Sequence, residues 1–198
     1  AYFNHLTSAD GVLVIASLLE NKGFNFQVTA LAGRKHDDFF RKPLSAAAFN
    51  VGRLLGIKIY PIVQHGDHDS YSEKENLRLG RAFFNQFKSL SQRPGTLFLV
   101  APEGKRNESG VRLQEIQEGI GLMAKVNPEV YFTPVGIIPQ EKISPGLNLG
   151  KRFSIIYGSP FKLDREEIKG ESRGEISRDL MARLAEMLPE NMRREEDK

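Results

Sequence analysis

Apolar and polar positions along the chain switch repeatedly between a helical and a strand-like spacing. Dense apolar positions from Asp10 to Asn21, with Asp10 at the cap position and Gly23 just beyond the end, predict a helix. Phe26 to Ala32 predicts a strand, and Pro43 to Leu55 a helix with Pro in its first turn and Gly56 past its last. Ile57 to Val63 alternates and is β-branched, which predicts a strand. From Asn76 to Leu90 a helical repeat puts Leu79, Phe83, Phe87 and Leu90 on one face. Pro94-Gly95 then turns the chain into Thr96 to Ala101, an uncharged run that reads as a strand buried on both faces. Leu113 to Val126 predicts a helix, Val130 to Ile138 and Arg152 to Tyr157 strands, and Glu175 to Leu188 an amphipathic helix carrying Ile176, Leu180, Leu184 and Met187.

Strands separated by helix-length segments predict an α/β fold, a single layered domain with a mostly parallel sheet flanked by helices over residues 1–190. Residues 191–198 form a charge run that reads as a solvated tail. The longest near-continuous apolar stretch, Gly11 to Leu19, is well short of the roughly 20 residues that span a bilayer. No charged leader with an apolar stretch and a small-residue cleavage site is visible, so secretion is not expected.

Composition narrows the chemistry. The 198 residues are 40% apolar and 27% charged, within the range of chains that enclose a core. The absence of cysteine excludes disulfides and thiolate-bound metals. Lys and Arg number 28 against 25 Asp and Glu, leaving +3, a balance compatible with an anionic small substrate or membrane surface and weak for a nucleic-acid partner.

Two constellations carry candidate chemistry. Asn4-His5-Leu6-Thr7-Ser8-Ala9-Asp10 places a histidine in the loop after a strand end and an aspartate at the start of the next helix. An Asp10 carboxylate folded back onto one imidazole nitrogen would fix the tautomer and leave the other nitrogen basic, as a general base for a hydroxyl requires. The alternative is an aspartate that only caps its helix beside an unrelated loop histidine. Pro102-Glu103-Gly104-Lys105-Arg106 follows the apolar strand directly, at the carboxyl end where open α/β sheets bind ligands. Gly104 permits a tight turn with close backbone approach, and Lys105 and Arg106 can grip a phosphate. Its alternative is an exposed charged turn.

These blocks, followed by Ser109-Gly110, by Thr133-Pro134-Val135 in a strand and by Gly158-Ser159-Pro160-Phe161 after another, resemble the glycerolipid acyltransferases in order and spacing from residue 4 to about 161. That superfamily includes the 1-acylglycerol-3-phosphate and glycerol-3-phosphate acyltransferases. The resemblance implies acyl transfer from acyl-CoA or acyl-carrier protein to a hydroxyl of a phosphorylated glycerol acceptor, with lysophosphatidate favoured, in phospholipid biosynthesis. It implies His5 as the base, Asp10 as its orienting partner, and Glu103, Gly104, Lys105 and Arg106 at the substrate, with Arg106 on the acceptor phosphate and Glu103 and Gly104 shaping the loop. No resident cofactor or metal is implied, and no nucleic-acid partner. The substrates are amphiphiles, so the protein is expected at the cytoplasmic side of a membrane as a peripheral protein. Exposed basic and aromatic residues of the helix Asn76 to Leu90 are candidates for that contact, although Phe83, Phe84 and Phe87 read as core. The resemblance also implies an amino-terminal supporting or anchoring element outside these residues.

Two positions depart from the family pattern. Lys105 stands where the Glu-Gly-Thr-Arg loop has threonine, and the strand from Ile57 ends in Gln64-His65 where the family has an arginine that helps hold phosphate. Acceptor identity is therefore left open. Three further patterns compete for attention. Gly170-Glu171-Ser172-Arg173-Gly174 matches a nucleophile elbow but follows the charged 164–169 segment, and no histidine lies after His68. Gly119-Ile120-Gly121 mimics a dinucleotide loop in a helical pattern, where packing glycines explain it better. His65, Asp67, His68 and Asp69 could bind a metal in a hydrolase, the rival to acyl transfer; the other readings are a polar loop and a non-catalytic lipid-binding module.

Overall fold

A computed structural model describes residues 1–6, 10–20, 27–33, 58–62, 73–104, 112–143 and 151–194. They are mixed α/β. Among the described residues, three of the four pairings between strands are parallel and one is antiparallel. The chain divides into two compact units, residues 1–24 with 100–198 and residues 25–99.

In the first unit, β1 (Tyr2–Phe3) pairs in parallel with β5 (Pro134–Pro139), which pairs antiparallel with β6 (Phe153–Tyr157). Val100 joins β1 on its other side: its N–H donates to the Ala1 carbonyl and its carbonyl accepts the Phe3 N–H. The helices of this unit are α1 (Asp10–Glu20), α3 (Gly119–Val126), α4 (Arg165–Gly170) and α5 (Arg173–Met187). The helical repeat of α5 buries Ile176, Leu180, Met181 and Leu184 fully, and α5 packs on α3 and β5, whose Val135 and Ile137 are equally inaccessible. A capping box starts α5: Ser172 Oγ accepts the Glu175 N–H while the Glu175 carboxylate accepts the Ser172 N–H. Ser172 is thus a helix cap at the place of the elbow pattern. Gly121 is a packing glycine, since a Cβ there would lie 2.1 Å from the Arg173 carbonyl oxygen and its N–H donates to Ser177 Oγ.

In the second unit, β2 (Gln27–Gly33) lies between β3 (Lys58–Ile62) and β4 (Thr96–Leu99), parallel to both. The helix α2 (Glu73–Leu90) supplies the crossover from β3 to β4 and buries Phe83, Phe87 and Leu90, with the Phe87 and Phe98 rings edge to face at 4.8 Å.

Three expectations change. The helix expected over Leu113 to Val126 begins only at Gly119, because the Leu113, Gln114 and Gln117 N–H groups donate to Met192, Glu103 and Pro102 instead of to helical carbonyls. In β4, Thr96, Leu97 and Phe98 are half-buried and only Leu99 is fully buried, so this strand is not covered on both faces. The solvated tail does not begin at 191: Met192 is buried in a 3₁₀ turn, Glu190–Met192, and the Arg193 guanidinium donates to the Leu188 carbonyl. The segments 43–55, 63–69 and 105–110, with Lys105, Arg106, His65, Asp67, His68 and Asp69, lie outside the described residues.

Candidate active site

The site grows from the point where β1 stops being a strand. Tyr2 and Phe3 make ordinary parallel pairing with β5, and at Asn4 the side chain takes over from the backbone. Its amide nitrogen donates to the Ile137 carbonyl at 2.9 Å and its amide oxygen accepts the Ile137 N–H at 2.7 Å. Asn4 is 0% exposed, so this pair replaces the next ladder step and satisfies two buried groups of β5. The strand ends there, and His5 follows in the segment between β1 and α1. Asn4 appears in the sequence only as the residue before the histidine. Its signal is a polar side chain continuing the strand at an interior position.

His5 is held at three points. Its Nδ1 lies 2.9 Å from Asp10 Oδ2, its backbone N–H donates to Glu103 Oε1 at 2.8 Å, and its ring meets Phe3 edge to face at 6.5 Å. Asp10 Oδ2 also accepts the Leu6 N–H at 2.6 Å. A carboxylate oxygen accepts, so the tautomer this contact suits carries its hydrogen on Nδ1, and a neutral imidazole then has its lone pair on Nε2, away from Asp10. The Asp10 side chain is fully buried and that of His5 is 20% exposed, which leaves the imidazole reachable from outside while its partner is not. This hydrogen bond is the arrangement expected from the His5 and Asp10 spacing. The carboxylate reaches back to residues 5 and 6, which a carboxylate that only caps α1 would not do.

The second expected constellation arrives beside the first. Chain leaving Val100 turns at residues 101–104, with the Gly104 N–H donating to the Ala101 carbonyl and Gly104 at φ +70°. A Cβ at Gly104 would stand 2.8 Å from Gln117 Cγ, so both backbone angle and space call for glycine. Of the four residues expected at the substrate, Glu103 is turned inward. It is 1% exposed, and its two oxygens accept the His5 and Gln114 N–H groups, the latter at 2.9 Å. Burial pushes its carboxyl up to about 7, against the lowering effect of those two hydrogen bonds and of His5 nearby. Glu103 therefore ties three stretches of chain together around His5. Gln114, which contributes a backbone N–H, carries no sequence signal for this role.

The later blocks serve the fold. The Thr133 carbonyl accepts the Tyr2 N–H, the Gly158 N–H donates to the Pro134 carbonyl, and Phe132 and Phe161 exchange both backbone hydrogen bonds. These contacts hold β5, and through β5 the Asn4 anchor. Among the described residues no group of three or more His, Asp or Glu is arranged to hold a metal ion, and no helix is long and apolar enough to cross a membrane. No family model and no curated protein matches the chain.

Proposed function

We propose that this chain is an O-acyltransferase that moves a fatty acyl group from an acyl thioester, acyl-CoA or acyl-carrier protein, to a hydroxyl of a glycerol-phosphate-type acceptor. The observation that carries this reading is the His5–Asp10 hydrogen bond with Glu103 on the His5 backbone, which unites in one place the two sequence blocks that resemble the glycerolipid acyltransferases.

In this mechanism His5 Nε2 removes the proton of the acceptor hydroxyl as the oxygen attacks the thioester carbonyl. The tetrahedral intermediate collapses to the ester, the C–S bond breaks, and the imidazolium returns its proton to the leaving thiolate. Asp10 keeps Nδ1–H pointed at itself and stabilises the imidazolium electrostatically. An alcohol of high pKa beside a thioester gains most from position, so a base fixed at three points supplies both orientation and proton transfer. Lys105 and Arg106, the next two residues in the sequence after Gly104, bind the acceptor phosphate in this reading. Amphiphilic substrates place the protein at a membrane surface, as a peripheral protein on the cytoplasmic side, within phospholipid biosynthesis.

The test is release of free thiol from acyl-CoA with glycerol 3-phosphate, lysophosphatidate and neutral acceptors in turn. Acceptor-dependent release with the phosphorylated compounds is expected, and Arg106→Ala should raise the acceptor KM with little change in kcat. Binding of acyl-CoA without turnover on any acceptor would favour a lipid-binding module.

A further inference from the structure

The positive charge of this protein is concentrated rather than spread. Residues 73–102 carry Lys74, Arg78, Arg81, Lys88 and Arg93 against Glu73 and Glu75 at the start of α2, and no Asp or Glu follows from Asn76 to Pro102. On α2 the cations are also sorted by face. At 3.6 residues per turn, Lys74, Arg78, Arg81, Asn85 and Lys88 fall within an arc of about 80°, a row roughly 21 Å long. All five are exposed, while Phe83, Phe87 and Leu90 on the opposite face are buried. Among the described residues, no carboxylate is paired with the side chains of Arg78, Arg81 or Lys88. Leu77, at the edge of the row, is 55% exposed, one of the large apolar side chains the protein leaves in contact with solvent.

We infer that the Lys74 to Lys88 face of α2 docks on an anionic lipid surface. A straight row of exposed cations matches a flat sheet of anionic headgroups, which demands no register, and Leu77 is placed to dip among them. A nucleic-acid strand is the poorer fit, because no exposed aromatic ring stands in the row for a base to stack on. The aromatic residues of α2 do not serve as membrane anchors: Phe83 and Phe87 belong to the core and Phe84 is half-buried. This surface goes beyond the proposed chemistry and is read by binding alone, so it can fail while acyl transfer holds, and the reverse.

Flotation of the full chain with vesicles tests it, using phosphatidylcholine alone and phosphatidylcholine mixed with phosphatidylglycerol. Binding is expected only to the anionic vesicles and should weaken as salt is raised. The triple variant Arg78→Gln/Arg81→Gln/Lys88→Gln should lose roughly a hundredfold in affinity, with unchanged circular dichroism because all three side chains are exposed. A control of equal charge change on the other unit, Lys125→Gln/Arg165→Gln/Arg178→Gln, should keep most of the binding. Equal binding to neutral vesicles, an equal loss in the control, no binding at all, or tighter binding to duplex or single-stranded nucleic acid at the same salt would each overturn the inference.

Discussion

The carboxylate of Glu103 accepts the backbone N–H of His5 at 2.8 Å across 98 residues of sequence, so the loop that presents the imidazole and the loop that leads to Arg106 are fastened to each other. The contact is to the main chain of His5. It fixes where the residue sits, while Asp10 fixes how its ring is turned. Position and orientation of one side chain are thus set by two different carboxylates, both buried.

The buried Glu103 carboxylate gives a pH dependence with a definite sign. Its carboxyl is raised from the ordinary value near 4.5 to about 7 in the folded protein. Between those values the folded state binds more protons than the unfolded one, so this group's contribution to stability is full below pH 4.5 and is lost as pH rises to about 7. The loss is about 3 kcal/mol. Glu103→Gln removes that slope. Urea unfolding of both proteins at pH 5 and pH 8 should show the wild type losing stability relative to the variant by an amount of that order. A stability difference between the two that does not change with pH would contradict this account.

Asn4 should matter to stability as much as to activity. Asn4→Ala leaves the Ile137 N–H and carbonyl without partners in a fully buried place and should cost about 3 kcal/mol. Asn4→Asp keeps an acceptor for the N–H but faces a carboxylate oxygen to the Ile137 carbonyl, so it should be no better. Thermal unfolding checks both.

Much of the fold is legible in the sequence, because helices and strands here announce themselves by local apolar spacing. The β2, β3, β5, β6 and α5 segments fall within a few residues of their predicted bounds. Apart from the burial expected of β4, the failures share a cause, which is that a long-range partner overrides local preference. Residues 113–117 have a helical pattern, but the Leu113, Gln114 and Gln117 N–H groups go to Met192, Glu103 and Pro102, and Met192 looks like part of a charged tail until its carbonyl is seen to accept the Leu113 N–H. The His5–Asp10 hydrogen bond was legible because its partners lie five residues apart. The inward turn of Glu103 and the anchoring of Asn4 on Ile137, 133 residues away, were not, because no local pattern encodes a contact of that span.

Gly104 should resist substitution. With φ +70° and Gln117 Cγ 2.8 Å from any Cβ placed there, Gly104→Ala should destabilise by about 2 kcal/mol. Gln117→Ala in the same chain relieves the contact but not the backbone angle, so only part of the loss should return. Full recovery in the double variant, by denaturant midpoint, would show that crowding alone is responsible.

In the proposed reaction His5 is the base that activates an acceptor hydroxyl. Thiol release from acyl-CoA with lysophosphatidate as acceptor, compared between the wild type and a folded His5→Ala variant, tests it most directly. A fall in kcat of at least about a hundredfold is expected, with the acyl-CoA KM little changed. Full acceptor-dependent acylation by the His5→Ala protein would contradict it.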